Sequence, residues 1–169
     1  MSDILIIERI LPKYRKDVLD ELHNVIDFTI IHSVDNSGIK QVNAPYSQRI
    51  RSFRYSRNES YRFLNVFTYI IKNRPKAIIH DFSIGLASLV PTLLLSRILG
   101  IKFILWGQGY DRTKGFYPEK VYKDTIRLLL MKAANALILY GDEAKAKLST
   151  YINSEKLFVA YNCLNTNVL

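Results

Sequence analysis

The sequence predicts an α/β protein of the doubly wound, Rossmann-like class, with a mostly parallel sheet that carries helices on both faces. Short apolar runs alternate with segments of helical apolar spacing from one end of the chain to the other, as in such folds. The chain has 169 residues, of which 49% are hydrophobic, and no repeat or low-complexity tract interrupts it. We therefore expect residues 1–169 to form one domain around one core.

Seven segments have the composition of strands, because they are short and rich in β-branched and other apolar residues. They are residues 4–7, 26–32, 49–57, 76–80, 102–106, 136–140 and 157–160. The third, RIRSFRYSR, alternates basic residues with apolar or small ones, which predicts an edge strand with one basic face. Loops are expected at 33–47 and 108–118, where polar residues, glycine and proline cluster.

Five segments have helical spacing of their apolar residues. One helix is expected to begin at Pro12, and the others to span residues 59–73, 82–99, 119–134 and 142–151. Gly100 is expected to cap a helix C-terminus, and Asp142 a helix N-terminus. The stretch 82–96 carries no charge, but it is shorter than the roughly 20 residues of a membrane span, and Pro91 lies within it. It predicts a buried helix rather than a membrane span.

The net charge of +9 is concentrated in one part of the chain. Nine lysines or arginines and one acid, Glu59, lie between Lys40 and Lys76, so this segment supplies nine minus one, or +8, of the total. Aromatic residues are interleaved with its central arginines, which are Arg49, Arg51, Arg54, Arg57 and Arg62. The stretch predicts a surface for an anionic membrane or another polyanion such as RNA, and an ordinary solvated basic face is the alternative.

The motifs of several enzyme classes are missing. The sequence contains no Gly-x-Gly-x-x-Gly after its first strand, no P-loop and no Gly-x-Ser-x-Gly, which argues against dinucleotide and P-loop enzymes and leaves no nucleophile elbow. Its three histidines are not spaced as metal ligands, so no metal site is expected. The lone Cys163 allows no internal disulfide, and the N-terminus lacks the pattern of a signal peptide. We expect a cytoplasmic protein.

Ligands of open α/β sheets bind outside the carboxyl ends of the strands, so the residues that follow each strand are of interest. These include Glu8 and Arg9 after the first strand and Tyr140 after the sixth. The candidates for substrate binding are Tyr14, Arg15, His80, Asp81, Gly107, Gln108, Gly109 and Tyr110. The last four belong to LWGQGYDR, which contains the only tryptophan and predicts either a structural turn or a strand end that contacts a substrate.

Four segments follow one another in a characteristic order, from about Ile4 to Thr166. They are ILPKYRKDVLDELHN after the first strand, then LWGQGYDR, ANALILYGDEAKAKL and EKLFVAYNCLNT. In this order and spacing they resemble the sugar-nucleotide glycosyltransferases of the GT-B type, family 4. The first segment resembles the Pro-x-Tyr-Arg opening of many such enzymes, and the last two resemble the end of their N-terminal domain.

The resemblance implies one half of an enzyme with two Rossmann-like domains and an active site between them. This chain would be the N-terminal, acceptor-binding half, and the donor-binding half is absent, since no two glutamates have the spacing of its Glu-x7-Glu motif. The parent enzyme would transfer a hexose from a UDP- or GDP-sugar, with retention, to a glycan or lipid-linked acceptor in polysaccharide biosynthesis. No cofactor is expected in this half, which alone would transfer little or nothing.

The implied partners are the acceptor and the donor-binding domain, present in the same chain or as a second chain. The basic stretch would rest on the anionic inner face of a membrane, which gives a peripheral cytoplasmic location.

Two positions depart from the family's pattern. Relatives often have histidine where this sequence has Gln108, whose amide can contact a sugar but cannot titrate as a base. The first loop lacks the Gly-Gly pair of many relatives, and Arg15 either supplies charge there or is an ordinary surface arginine.

Two other functions stay open. One is a non-enzymatic α/β domain that binds a polyanion through the basic stretch, with nucleic acid less expected than a membrane. The other is a different Rossmann-like enzyme that is complete at this length. That enzyme requires a closed pocket with convergent polar groups inside this one domain.

Overall fold

A computed structural model describes residues 2–35, 37–58 and 61–161. The strands are β1 (Ile4–Ile10), β2 (Phe28–Ser33), β3 (Ser47–Arg49), β4 (Ser52–Arg54), β5 (Arg62–Leu64), β6 (Ala77–Asp81), β7 (Lys102–Trp106), β8 (Ala136–Leu139) and β9 (Leu157–Val159). The helices are α1 (Lys13–Val25), α2 (Phe67–Asn73), α3 (Leu89–Ile98), α4 (Tyr122–Ala133) and α5 (Asp142–Leu148). Cys163 and the motif at 162–166 lie outside the described residues.

The main sheet has seven strands in the order β3-β2-β1-β6-β7-β8-β9. Every neighbouring pair in it is parallel. β4 and β5 form a separate antiparallel hairpin. The order runs outward in both directions from β1, with a helix in every crossover except that from β2 to β3, which confirms the predicted doubly wound class.

Helices cover the two faces of the sheet unequally. The larger apolar cluster joins one face to α2, α3, α4 and α5, and the smaller one joins the other face to α1 through Leu19. On the α1 side, Ile104 and Ile138 are only half-buried and Phe158 is 55% exposed. Because parallel sheets are usually buried on both faces, this is the more accessible side of the domain.

The prediction of one strand over 49–57 is wrong. Only its first residue, Arg49, belongs to the edge strand β3, in which Gln48 pairs with Ile31. Residues 50 and 51 belong to no strand, and β4 pairs with β5 so that Phe53 is opposite Phe63. The alternation of basic and apolar residues is real, but two short strands in two different sheets share it.

The predicted helix over 59–73 is wrong in its first half, of which residues 59 and 60 lie outside the described part. Arg62 and Leu64 are buried while Phe63 between them is more accessible, which is the period of a strand. The Arg62 backbone N–H donates to the Gly85 carbonyl, so it is used outside any helix. Only α2 keeps the helical spacing.

The predicted helix over 82–99 begins later than expected. Residues 82–88 form turns, in which the Leu86 N–H donates to the Ser83 carbonyl, and α3 starts at Leu89. Pro91 accounts for this start. In the first turn its missing N–H is not needed, whereas in a helix from Phe82 its ring would collide with the carbonyl of Ala87. Across residues 2–35, 37–58 and 61–161, none of the helices has the length and apolarity to cross a bilayer.

The two predicted caps have different outcomes. Gly100 follows α3 with a φ of 68°, as expected for glycine beyond a helix C-terminus. Asp142 is not the N-cap of α5, because Gly141 occupies that position and Asp142 is the first helical residue. Its carboxylate still lies at the N-terminal end of the helix dipole.

We expect Gly100→Ala to lower the free energy of unfolding by about 1 kcal/mol, because alanine is strained at positive φ. A Cβ at Gly100 has open space around it, so the loss measures backbone strain alone. Gly141→Ala is the control, since Gly141 is extended at φ 177° and also has open space. Urea denaturation of the two variants measures the difference, and equal stabilities would contradict it.

Candidate functional site

Four side chains lie in a row along the carboxyl ends of neighbouring strands. Glu8 is on β1, Asp81 ends β6, Trp106 ends β7, and Tyr140 follows β8. Asp81 and Trp106 are paired in register, and all four have the alternation that points them to the α1 side of the sheet. The row therefore lies where open α/β sheets bind their ligands.

Arg15 reaches from α1 across this row. Its Nη1 donates to Glu8 Oε1 at 2.7 Å and its Nη2 to the Tyr140 hydroxyl at 2.7 Å. The guanidinium carbon lies 4.9 Å from the centre of the Trp106 ring and 5.6 Å from that of Tyr140. The Arg15 side chain is 13% exposed, so it is not an ordinary surface arginine.

An irregularity in β1 brings Arg9 to the same place. Against β2, Glu8 pairs with His32 and Ile10 with Ser33, so Arg9 is the extra residue of a bulge. The Ser33 hydroxyl donates to the Arg9 carbonyl at 2.8 Å, and Arg9 Nε lies 3.1 Å from an Asp35 carboxylate oxygen. The bulge lets consecutive residues, Glu8 and Arg9, line one cleft.

Burial shapes the electrostatics of the row. It raises the pKa of Glu8, helped by Asp81 and opposed by Arg15 and Arg9. It raises the pKa of Asp81 to about 6, again against Arg15 and Arg9. It also raises the pKa of Tyr140 to about 12. The two carboxyls are thus better proton acceptors near neutral pH than exposed carboxylates are.

Three recesses meet at Tyr140. The polar cleft, of about 250 Å³, is lined by Glu8, Arg9, Ile10, Pro12, Tyr14, Arg15, Ile39, Asp81, Ser83 and Tyr140. The aromatic recess, of about 530 Å³, is lined by Gln108, Tyr110, Arg112, Tyr140 and Tyr161. The apolar groove, of about 410 Å³, is lined by Arg15, Val18, Leu19, Glu21, Leu22, Trp106, Tyr140, Ala160 and Tyr161.

Close contacts at Gly107 and a positive φ at Gly109 favour glycine at both positions in LWGQGYDR. A Cβ on Gly107 would lie 3.1 Å from Phe82 Cβ. Gly109 has a φ of 83°, and a Cβ there would lie 2.8 Å from Leu148 Cδ1. Between them, Gln108 is half-buried and lines the aromatic recess. The stretch is therefore a structural turn that also brings Gln108 to the recess.

Tyr110 and His80 lie deeper than the sequence suggested. Tyr110 lines the aromatic recess but is only 7% exposed. His80 is fully buried beside Phe103, with Nδ1 2.8 Å from the Asp81 carbonyl oxygen, and burial lowers its pKa to about 4. It points to the face opposite the cleft, so the expected substrate contact of His80 is corrected to a core position.

The basic stretch divides in the same way. Arg49, Arg51, Arg54 and Arg57 are exposed, and Phe53 and Tyr55 among them are 77% and 54% exposed. Arg62 is 8% exposed, and its guanidinium donates to the Val34 carbonyl at 3.0 Å and to Ser52 Oγ at 2.8 Å. Arg62 is therefore a structural residue and not part of the expected polyanion surface.

Four residues of the site, Glu8, Arg9, Trp106 and Tyr140, were not among the candidates for substrate binding. Glu8 and Tyr140 stood out in the sequence only as residues that follow a strand. Each lies two residues after an isoleucine of the same strand face, Ile6 and Ile138 respectively. Because side chains alternate between the two faces of a strand, the positions of these isoleucines predict that both residues face the same side.

Within the described ranges, no three His, Cys, Asp or Glu side chains are placed to hold a metal ion.

Neither a protein-family model nor a curated protein sequence matches the chain. Solved structures do. Methanocaldococcus jannaschii UDP-GlcNAc 2-epimerase, in complex with UDP-GlcNAc and UDP, matches with a TM-score of 0.57 and 16% identity over 92% of this chain and 45% of that one. Anabaena Alr3699/HepE, in complex with UDP-glucose, matches with a TM-score of 0.58 and 11% identity over 99% of this chain and 46% of that one.

The likeness shows the fold. It confirms the Rossmann-like architecture predicted from the sequence, which here corresponds to part of two proteins that were crystallised with UDP-sugars. The chain spans less than half the length of either structure.

Asp81→Asn is expected to raise the free energy of unfolding at pH 7.5 by roughly 1–3 kcal/mol. The folded-state pKa of Asp81 is about 6 against an ordinary 3.8, so its stabilising contribution is present below pH 3.8 and lost as the pH rises through 6. The gain should therefore disappear at pH 3.5. Urea denaturation at both pH values measures it.

Asp27→Asn is the matched control, because the Asp27 side chain is 68% exposed. It should leave stability nearly unchanged at both pH values. An Asp81→Asn protein no more stable than wild type at pH 7.5 would show that burial of this carboxyl has no electrostatic cost.

Proposed function

We propose that this chain is the acceptor-side half of a nucleotide-sugar-dependent glycosyltransferase. The observation that carries the proposal is the row of Glu8, Asp81, Trp106 and Tyr140, crossed by Arg15, at the carboxyl ends of a parallel sheet. The fold shared with two proteins bound to UDP-sugars supports nucleotide-sugar chemistry. The order of sequence motifs supports family 4.

In this proposal the acceptor, a glycan or a lipid-linked glycan, enters the polar cleft and the aromatic recess. Tyr14 and Asp81 line the cleft, and Gln108 and Tyr110 line the recess. The Gln108 amide contacts the transferred sugar, while Gly107 and Gly109 fix the turn that carries it. A second domain or chain holds the UDP- or GDP-hexose and closes over this face.

Transfer with retention would rely on positioning and on electrostatic stabilisation of the leaving diphosphate, and not on a base at Gln108. Arg15 would act as a positioning residue. Its two donors hold Glu8 and Tyr140 in place, and its charge is balanced by the Glu8 carboxylate at 2.7 Å. Its guanidinium fork cannot be replaced by the single nitrogen of lysine.

The proposal is tested first by reading the frame that follows Leu169, which is expected to encode a Glu-x7-Glu motif. The protein that includes it is then assayed for transfer from labelled UDP-glucose and GDP-mannose to a membrane lipid extract. Arg15→Lys is expected to lower transfer by about tenfold or more, since one of its two hydrogen bonds is lost. Residues 1–169 alone are expected to transfer nothing.

Arg57→Lys is the matched control, because Arg57 is exposed and lies outside the three recesses. It should transfer as well as wild type. Robust turnover by residues 1–169 alone would overturn the division into halves, and a longer protein that transfers neither sugar would overturn the function.

A second candidate, a polyanion-binding domain, is favoured by the exposure of Phe53 and Tyr55 among Arg49, Arg51, Arg54 and Arg57. Replacing these four arginines by glutamine is expected to abolish binding to anionic vesicles, because each basic residue near such a surface contributes about 1 kcal/mol. Vesicle flotation at two salt concentrations measures this. Vesicle binding that persists in the variant would contradict a role of these four arginines in binding an anionic membrane. Binding to RNA but not to vesicles would favour the polyanion-binding domain over a membrane-bound transferase.

A further inference from the structure

The polar cleft contains two guanidinium groups, and a carboxylate already pairs with each. Arg15 lies 2.7 Å from Glu8, and Arg9 lies 3.1 Å from Asp35. The side chains of Glu8 and Asp35 are 10% and 0% exposed, so these are well-sheltered pairs. Neither arginine offers an uncompensated charge to an incoming anion.

Asp81 is the second carboxyl that lines this cleft, beside Glu8. It ends β6 and lines the cleft with Arg9, Arg15 and Ser83. Across the part of the chain that the structure describes, its side chain makes no hydrogen bond and no ion pair. The lining holds two carboxyls, Glu8 and Asp81, and two guanidiniums, Arg9 and Arg15, so its formal charge is zero when all are ionised. Asp35 pairs with Arg9 from outside the lining. Asp81 is the acceptor that remains available to a ligand.

The size of the cleft limits what that ligand can be. Its volume of about 250 Å³ lies below the roughly 300–1,000 Å³ of pockets that take drug-sized molecules. One sugar ring suits such a space better than a nucleotide does. Tyr14, which is 41% exposed, provides an aromatic surface at the rim.

We propose that the polar cleft selects a single hexose unit that carries no negative charge, and that Asp81 binds one of its hydroxyls or, more tightly, an amino group. A carboxylate accepts hydrogen bonds from both groups and attracts an ammonium, whereas it repels phosphates and uronic acids. The inference rests on the proposed function, because it specifies the sugar unit that the acceptor presents. It also means that Arg15 does not bind the donor's phosphates.

The only tryptophan of the chain reports on this site. Trp106 is paired in register with Asp81, and its ring centre lies 4.9 Å from the Arg15 guanidinium. The fluorescence of Trp106 is titrated with glucosamine, methyl glucoside, glucuronate and inorganic pyrophosphate at constant ionic strength. We expect saturable changes with glucosamine and, more weakly, with the glucoside, and none with the two anions.

Asp81→Asn is expected to weaken glucosamine binding by about tenfold and to remove the discrimination against glucuronate, because the formal charge of the cleft rises by one. Asp81→Glu, which keeps the charge, should retain the preference for glucosamine. Asp27→Asn, at an exposed position, should bind all four probes as wild type does. Thermal unfolding followed by circular dichroism confirms that each variant is folded.

A saturable response to pyrophosphate, an equal response to glucuronate and glucosamine, or no response to glucosamine would overturn the inference. An unchanged preference in Asp81→Asn would overturn the role of Asp81. These failures are distinct from failure of the proposed function. If the longer protein transfers sugar but pyrophosphate binds beside Trp106, the function stands and the charge preference falls. If the titrations give the expected result and no sugar is transferred, the charge preference stands and the proposed function falls.

Discussion

The bond between Arg15 and Glu8 is the interaction on which the site depends. A buried guanidinium requires a carboxylate beside it, and a buried carboxylate requires a cation, so neither can be removed alone without leaving an uncompensated charge. The pair fixes the start of α1 over the ends of β1 and β8, with Tyr140 as its third member. The wall between the polar cleft and the apolar groove exists because Arg15 is held there.

Much of the fold follows from patterns that the sequence displays openly. Apolar strands and helices alternate, and the parallel sheet was predictable because each crossover is long enough for a helix. Prediction failed where two partners shared one pattern. RIRSFRYSR alternates like one strand, yet Arg49 ends β3 in the main sheet while Ser52–Arg54 form β4 in the hairpin. The partner of β4 is β5, whose Leu64 lies in the core, and this long-range packing is not visible in the local alternation.

The position of the site was predictable, but its membership was not fully so. The carboxyl ends of the strands are general ligand sites, and there Arg15 and Asp81 line the polar cleft while Gln108 lines the neighbouring aromatic recess. The predicted substrate contact of His80 is wrong because adjacent residues on a strand point to opposite faces. Asp81 faces the cleft, and His80 faces the core. Arg9 follows the first strand in the sequence, but its place beside Glu8 in the cleft depends on the bulge, which arises from the register of β1 against β2.

Tyr140 is a shared wall of all three recesses, whereas Tyr14, Gln108 and Val18 each line only one. This difference has an evolutionary consequence. A substitution at Tyr140 alters all three recesses at once, so a change that improves binding in one recess also changes binding in the other two. Tyr14, Gln108 and Val18 can vary independently. New ligand preferences in descendants of this protein should therefore arise at these three positions, while Tyr140 stays unchanged.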